Sequence, residues 1–277
     1  MFFEYLKYLS WKGKLQLILG SIAYKLFTAI PKGVFEVRNF VEASQKKGYK
    51  IVEEALAYVV SKDRIKILLR KGSSDLKVFR QIIINEEFKN VVQLIHQYDI
   101  KIKNVIDAGA NIGLTTLYLK EHFPETEILC IEPDASNQAQ LSQHIALNNL
   151  TKVELIKGGV WSHNSWLNID NTFRDGLEWS RRLQPSETER GNIPVYSINH
   201  IRTEKRWDTI DLLKMDIEGA EETVFSESSD LSFLNKTKVI TIEIHDMVDV
   251  GHRVVEILHD HNFKVYFSGE LTIGIKK

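Results

Sequence analysis

From residue 104 onward, short apolar runs alternate with amphipathic stretches, and this alternation predicts β-strands separated by α-helices. The predicted strands are residues 105–106, 128–131, 153–156, 210–215, 239–244, 263–267 and 271–275. The predicted helices are residues 112–121, 135–147, 220–225 and 251–259. Strands that alternate with helices of this length are typical of an α/β fold whose parallel sheet is covered by helices on both faces.

The last two predicted strands differ from the others in their connection. Only Ser268-Gly269-Glu270 separates them, which is too short for a crossover helix. We therefore expect an antiparallel hairpin at this point. The pattern for residues 96–277 predicts one mostly parallel sheet that ends in an antiparallel hairpin.

The first 95 residues show a different pattern. Apolar residues recur at helical spacing in residues 51–60 and 88–95, while residues 65–69 and 76–79 also suit short strands. We interpret residues 1–95 as an N-terminal, mainly helical extension of the α/β domain.

The first 31 residues are rich in aromatic and aliphatic side chains, but charges interrupt them. Their longest uncharged run, Leu15 to Tyr24, spans 10 residues, against about 20 needed to cross a bilayer. We expect no transmembrane segment. A helix packed on protein and a helix in peripheral contact with a membrane surface are both compatible with this pattern.

The composition narrows the functional classes. With 36 Lys and Arg against 37 Asp and Glu, the net charge is -1, which gives no reason to expect a nucleic-acid partner. The single cysteine, Cys130, cannot form an internal disulfide, and no Cys/His cluster has the spacing of a zinc site. We expect a cytoplasmic protein.

The strongest local motif is Val105-Ile106-Asp107-Ala108-Gly109-Ala110-Asn111-Ile112-Gly113, where a strand enters a tight turn and then a helix. Gly109 allows the turn to bend sharply and a ligand to approach the backbone. The following helix offers free backbone N–H groups at its start. Asp107, Gly109, Asn111 and Gly113 are therefore candidate cofactor-binding residues.

The next predicted strand ends in Glu132 and Pro133. An acidic side chain at this position can accept hydrogen bonds from both hydroxyls of a ribose. A dinucleotide site would require G-x-G-x-x-G, but Asn111 holds the place of the second glycine. A nucleoside that carries an amino acid and no phosphate, such as S-adenosylmethionine, fits this pattern better.

Ionisable residues also follow two later strands. Lys214, Asp216 and Glu218 follow one strand, and Glu243, His245 and Asp246 follow the next. Such groups are costly to bury unless they are paired or bind a ligand. Because the carboxyl ends of parallel strands meet at one edge of a sheet, both sets favour an active site above the glycine-containing turn.

Together these residues resemble the FkbM family of S-adenosylmethionine-dependent methyltransferases. The resemblance covers residues from about 75 to the C-terminus. It rests on Asp75-Leu76-Lys77-Val78-Phe79-Arg80-Gln81, Ile106 to Gly113, Ile131-Glu132-Pro133-Asp134, Leu213 to Glu221 and Ile242 to Asp246. It implies a class I methyltransferase, or Rossmann-like, fold for residues 96–277. It also implies methyl transfer to oxygen, often on sugars of polyketides, lipids or polysaccharides.

A neutral hydroxyl is a poor nucleophile, so a base or a metal ion should contact it. His245 is the first candidate base because imidazole titrates near neutral pH, and Asp216 is the second, with Glu243 on the same strand end as His245. The alternative is a Mg²⁺ ion bound by Asp216, Glu243 and Asp246, which would lower the pKa of the hydroxyl.

Residues 161–195 interrupt the strand and helix alternation, and we interpret them as an insertion on the acceptor side. The candidate substrate residues are three tryptophans that could stack on a sugar ring and two arginines that could bind an anionic group: Trp161, Trp166, Trp179, Arg181 and Arg182. The expected partner is a small-molecule or glycan acceptor. Two alternatives stay open, a nicotinamide-dependent oxidoreductase and a non-catalytic module with the same fold.

Overall fold

A computed structural model describes residues 13–15, 32–170, 182–185, 191–245 and 248–277. Trp179, Arg181 and Asp246 therefore lie outside the described residues. The chain forms two compact units, one of residues 1–85 with 146–148 and one of residues 86–145 with 149–277. The predicted division at residues 95 and 96 stays a prediction.

The first unit combines helices with a small sheet. Its described elements from residue 32 onward are α1 (Lys32–Lys46), β1 (Lys50–Glu53), β2 (Ala57–Lys62), β3 (Ile65–Arg70), α2 (Asp75–Phe79) and a π-helix (Arg80–Ile84). The three strands form an antiparallel sheet in the order β1-β2-β3.

The helix predicted for residues 51–60 is wrong, because this stretch forms β1 and most of β2. Ile51 lies buried on β1, and Tyr58 and Val60 lie buried on β2. Two short alternating strands joined by a turn place apolar residues at intervals that imitate a helical period. Residues 65–69 form a strand and residues 76–79 are helical.

The second unit is an α/β structure. Its strands are β4 (Asn104–Ala108), β5 (Glu127–Glu132), β6 (Val153–Lys157), β7 (Gly159–Val160), β8 (Ser165–Asp170), β9 (Arg182–Pro185), β10 (Ile193–Tyr196), β11 (Ile210–Met215), β12 (Thr237–Glu243), β13 (Phe263–Ser268) and β14 (Leu271–Lys276). Its helices are α3 (Lys89–Gln97), α4 (Leu114–His122), α5 (Ala135–Leu147), α6 (Ile198–Glu204), α7 (Glu221–Val224), a 3₁₀-helix (Leu231–Lys236) and α8 (Val248–Asp260). Every predicted strand and helix of the alternating region is present.

The described strands of the main sheet follow the order β13-β14-β12-β11-β4-β5-β6. The pairs from β12 through β6 are parallel, whereas β14 is antiparallel to both of its neighbours. The predicted mostly parallel sheet with an antiparallel hairpin is confirmed. The chain order reverses between β4 and β11, and in open α/β sheets ligands bind at such a reversal, beyond the carboxyl ends of the strands.

Strand β14 packs closely against both neighbours at Gly274. A Cβ atom at this position would lie 2.8 Å from the Cγ2 atom of Ile240 on β12 and 3.0 Å from the Cδ1 atom of Phe263 on β13. Ile240 and Phe263 are fully buried. The absence of a side chain at Gly274 therefore lets two large residues meet over the strand.

A second sheet of the described strands has the order β7-β10-β8-β9. Strands β8 and β9 and most of β10 lie within the predicted insertion, residues 161–195. No described helix has the length and the apolar character that a membrane span would need.

Candidate active site

The glycine turn, residues 109–113, connects β4 to α4. Gly109 has φ 73° and Gly113 has φ 83°, a region of backbone space that favours glycine. A Cβ atom on Gly109 would lie 1.7 Å from the backbone oxygen of Asp216, and one on Gly113 would lie 2.2 Å from Leu141 Cδ1. Both glycines are therefore required for the turn to fit between the end of β11 and helix α5.

Glu132, at the end of β5, holds the glycine turn in place. Its carboxylate accepts hydrogen bonds from the backbone N–H of Asn111 at 2.8 Å and of Asp134 at 2.9 Å. Burial raises the pKa of Glu132 to about 7, although the Asn111 N–H opposes the shift. Pro133 follows directly and leads into α5. This carboxylate thus lies against the turn and is nearly enclosed by protein.

Asp107 and Lys214 form a buried pair beneath the turn. Thr116 Oγ1 donates a hydrogen bond to Asp107 Oδ2 at 2.7 Å, and Lys214 Nζ lies 3.3 Å from Asp107 Oδ1. Lys214 also donates to the backbone oxygen of Gly109 at 2.6 Å and lies 3.6 Å from Asp216 Oδ2. Burial alone would lower the pKa of Lys214, but the carboxylates of Asp107 and Asp216 raise it above its usual value. Lys214 therefore links the ends of β4 and β11 through its ion pairs with Asp107 and Asp216.

Beside this pair, four carboxylates from the described part of the chain surround His245, and we call these five residues the His245 cluster. Its members come from the ends of β11 and β12 and from the start of α7: Asp216, Glu218, Glu221, Glu243 and His245. The imidazole Nε2 lies 3.4 Å from Glu243, 3.6 Å from Asp216 and 3.7 Å from Glu218. The imidazole Nδ1 lies 3.3 Å from Glu221.

The surroundings of His245 fix its charge. Burial disfavours a charged imidazole, but the neighbouring carboxylates of Glu221, Glu243 and Asp216 raise the pKa of His245 to about 11. Burial and the nearby Asp216 also raise the pKa of Glu243. Without a bound ligand, the imidazole therefore carries a proton at neutral pH.

The site as a whole has an excess of negative charge. Among the described residues, five carboxylates and two cationic side chains contact one another here: Asp107, Asp216, Glu218, Glu221 and Glu243 with Lys214 and His245. Carboxylate oxygens of Glu87 and Glu270 also lie within 4.8 Å of an oxygen of Glu243. A site with this balance favours a cationic ligand.

The predicted acceptor residues have different surroundings. Trp161 is 9% exposed and belongs to the hydrophobic core with Val160, Leu167 and Val195, which leaves little surface for stacking on a sugar. Trp166, on β8, is 42% exposed. Arg182 begins β9.

The sequence interpretation did not assign a role to Thr116 or Glu221, although both contact the site. Glu221 lies five positions after Asp216, and the backbone N–H of Ile217 donates to its carboxylate at 3.0 Å. The run of acids at Asp216, Glu218 and Glu221 was the available signal. Thr116 sits on the buried face of α4, and the sequence gives no sign that its hydroxyl reaches Asp107.

Comparison with known proteins decides the family. The profile described as the methyltransferase FkbM domain matches residues 107–265, which is more than half of the chain. The chain belongs to the FkbM methyltransferase family. The predicted membership is confirmed, and so is the class I methyltransferase fold, in which the antiparallel strand lies second from the sheet edge.

Two relatives and one solved structure that resemble this FkbM methyltransferase are 13–26% identical to it. It is 26% identical over 225 residues to methyltransferase sdnD of Sordaria araneosa, which covers 68% of this chain and 84% of the relative. It is 26% identical over 194 residues to 2-O-methyltransferase NoeI of Sinorhizobium fredii, which covers 64% and 73%. Among solved structures, a methyltransferase from Geobacter sulfurreducens has a TM-score of 0.41 and 13% identity, covering 93% of this chain and 97% of that chain.

Proposed function

We propose that this FkbM methyltransferase uses S-adenosylmethionine to methylate a hydroxyl of a sugar, polysaccharide or other glycoconjugate. The observation that carries the proposal is the excess of carboxylates around the glycine turn, at the point where the strand order reverses. S-adenosylmethionine presents a sulfonium cation. A nicotinamide dinucleotide would bring a pyrophosphate anion to the same carboxylates, so the charge balance opposes the oxidoreductase alternative.

The residues around the turn fit this cofactor. We assign Glu132 the role of accepting the ribose hydroxyls, and the backbone at Gly109, Asn111 and Gly113 that of bordering the amino-acid part. Asp107 is fully buried against Lys214 and Thr116, so we assign it the role of holding the turn. When bound, S-adenosylmethionine supplies an activated methyl group.

The protein must also take up the proton that the acceptor hydroxyl loses. A protonated His245 cannot accept it, which disfavours the predicted role of His245 as the free base. Asp216 and Glu243 keep 31% and 16% of their side-chain surface exposed. We therefore assign these two carboxylates one of two roles. They either accept the proton from the acceptor hydroxyl, or they bind a cation that takes the place of this proton on the acceptor oxygen.

Two observations support the acceptor class. The relative NoeI is named a 2-O-methyltransferase, which favours oxygen as the methyl acceptor. The half-exposed indole of Trp166 suits the apolar face of a sugar ring. The roles of Trp179, Arg181 and Arg182, the predicted Mg²⁺ site that includes Asp246, and a cytoplasmic location stay predictions.

Calorimetry tests the cofactor. We expect S-adenosylhomocysteine to bind and NAD⁺ not to bind. Glu132→Ala should weaken S-adenosylhomocysteine binding by on the order of 1.5–3 kcal/mol, the loss of charge-assisted hydrogen bonds. Glu154→Ala is the matched control, because Glu154 lies on the neighbouring β6 and pairs with Lys205 on the surface. NAD⁺ binding without S-adenosylhomocysteine binding would refute the proposal.

A transfer assay tests the acceptor. The protein is incubated with labelled S-adenosylmethionine and a panel of sugars and oligosaccharides, each paired with its deoxy analogue. We expect label to enter the hydroxylated member of at least one pair and not the deoxy member. If label enters only amines or carbon acids, the protein catalyses N- or C-methylation, and the proposed O-methylation is wrong.

A further inference from the structure

The distances around His245 point to a metal site that differs from the predicted Mg²⁺ site. Direct charge-assisted bonds between an imidazolium and a carboxylate span about 2.7–2.9 Å. The contacts from His245 Nε2 to Glu243 Oε1 and Asp216 Oδ1 are longer, at 3.4 and 3.6 Å. Two ligand atoms that each lie about 2.1 Å from one ion are separated by roughly 3.0–3.5 Å. The observed contacts are closer to ligand separations than to ion-pair distances.

The second ring nitrogen has the partner that a metal-bound histidine requires. Metal-ligating histidines almost always donate their other N–H to a carboxylate or a carbonyl, which fixes the ring orientation. Here Nδ1 faces Glu221 Oε1 at 3.3 Å, and the N–H of Ile217 holds the same oxygen. Nε2 is thereby directed at Asp216 and Glu243.

A separate observation indicates that positive charge is required at this place. Glu221 is 1% exposed, and its Oε2 atom accepts no hydrogen bond from any residue that the structure describes. A buried carboxylate oxygen without a donor is costly unless a cation lies nearby. Among the described residues, the side chains of His245 and Lys214 are the basic groups in contact with the four carboxylates of the His245 cluster.

We propose that Asp216 Oδ1, Glu243 Oε1 and His245 Nε2 bind a divalent transition-metal ion, with Glu221 as the group that orients His245. One ligand atom from each of these three ligand residues lies within 4.8 Å of the others. An imidazole among the ligands favours Mn²⁺, Fe²⁺ or Zn²⁺ over Mg²⁺, which prefers an all-oxygen set. Three protein ligands leave coordination positions free.

The metal site adds a chemical role to the proposed function, on which this role depends. An acceptor hydroxyl bound at a free position would have a lowered pKa and would lose its proton more easily, to solvent water. The partial exposure of Asp216 and Glu243 allows an acceptor to reach the ion.

Electron paramagnetic resonance with Mn²⁺ tests the site in the full chain. The protein is freed of metal by a chelator, dialysed and titrated with Mn²⁺ in the absence of any cofactor. We expect one tightly bound Mn²⁺ per chain with a nitrogen hyperfine coupling from the imidazole. Absence of saturable binding, or bound Mn²⁺ without nitrogen coupling, would overturn the proposal.

Variants separate this site from the neighbouring carboxylates. His245→Gln and Asp216→Asn should each weaken Mn²⁺ binding by more than about 100-fold, and Glu221→Gln by about 10- to 100-fold. Glu270→Gln is the control, because Glu270 groups with Glu87 and Glu243 but not with His245. Loss of binding in Glu270→Gln with retention in His245→Gln would place the ion elsewhere and refute the assignment. If His245→Gln does not fold by circular dichroism, the nitrogen coupling of the wild-type protein and the Asp216→Asn titration decide.

Calorimetry with S-adenosylhomocysteine in the presence of chelator keeps the two proposals apart. Cofactor binding by a protein that binds no Mn²⁺ overturns only the metal site. Mn²⁺ binding by a protein that binds no S-adenosylhomocysteine overturns only the proposed cofactor and supports the metal site.

Discussion

Strand β11 carries one aspartate near its amino end, Asp211, and another directly after its carboxyl end, Asp216. Asp211 is buried, and its carboxylate accepts backbone N–H groups of Lys103 and Asn104 at 2.8 and 3.0 Å. Lys238 on β12 lies 2.7 Å from its other oxygen. The contacts of Asp211 with Lys103 and Lys238 have the length of good charge-assisted hydrogen bonds, so the charge at this end of the strand is compensated.

Asp216 has the opposite surroundings. Its cationic neighbours, Lys214 and His245, lie 3.6 Å away, and both are shared with other carboxylates. The same strand therefore ends in compensated charge on one side and in uncompensated charge on the other. Uncompensated charge costs stability, and its concentration at the carboxyl end is what a binding or catalytic site requires.

The largest effect on stability should come from the amino end. Asp211→Ala removes the acceptor of two backbone N–H groups and the partner of Lys238, so we expect the free energy of unfolding to fall by about 3 kcal/mol. Urea denaturation measures the change. S-adenosylhomocysteine affinity should stay within twofold, and a loss of affinity at unchanged stability would contradict the division between the two ends.

At the carboxyl end of β11, a substitution should lower activity strongly and stability little. Asp216→Asn removes a negative charge from an overcharged site, so the free energy of unfolding should change by less than about 1 kcal/mol. The methyl-transfer rate should fall about 100-fold, which corresponds to about 2.7 kcal/mol of barrier. Steady-state kinetics and urea denaturation of the same preparation check both values. A variant that keeps its rate but loses stability would make Asp216 a structural residue.

A smaller effect is expected from the titration of Glu132. Its pKa of about 7 means that the carboxyl group is protonated at pH 6 and ionised at pH 8. Since the ionised form is the better acceptor for ribose hydroxyls, affinity for S-adenosylhomocysteine should rise about tenfold over this interval. Calorimetry at pH 6, 7 and 8 measures the rise. Glu132→Gln should give a flat profile, and so should the wild-type protein if Glu132 does not contact the ribose.

The smallest effect on stability is expected at the amino end of β11. Lys238→Met breaks the pair with Asp211, but the lysine is 45% exposed and the two backbone donors remain. We expect a loss of about 0.5–1 kcal/mol, as for partly exposed ion pairs. Thermal denaturation at low and high salt measures it, with Lys238→Arg as the control that keeps the charge. A loss as large as that of Asp211→Ala would mean that the ion pair, and not the backbone hydrogen bonds, stabilises this end.

Sequence patterns were sufficient for the architecture of the α/β unit. The strand β11 consists of apolar residues apart from Asp211 and Lys214, and a largely apolar sequence is typical of a central parallel strand. The three-residue link at Ser268-Gly269-Glu270 could only form a hairpin, and the structure has it there. In residues 51–60, by contrast, the apolar residues of two short strands and their turn recur at a helical period. The pairing of β1 with β2 determines that this stretch forms strands and not a helix.

The site could be predicted in part. Asp216, Glu243 and His245 come together because parallel strand ends share one edge, which a sequence pattern can reveal. That Glu221 reaches His245 depends on the direction in which α7 leaves the strand, and that Trp161 is buried depends on the packing of a second sheet. Such contacts arise from three-dimensional packing and have no local signature.

The position of β14 also has a consequence for the site. This strand follows β13 in the chain but separates it from β12 in the sheet, so β13 is joined to the sheet through β14. Leu271, the first residue of β14, pairs opposite Glu243 on β12, so the hairpin borders the site. The sheet edge beside Glu243 is therefore complete only when the hairpin of β13 and β14 has paired with β12, so a substitution that disrupts this hairpin should also disturb the site.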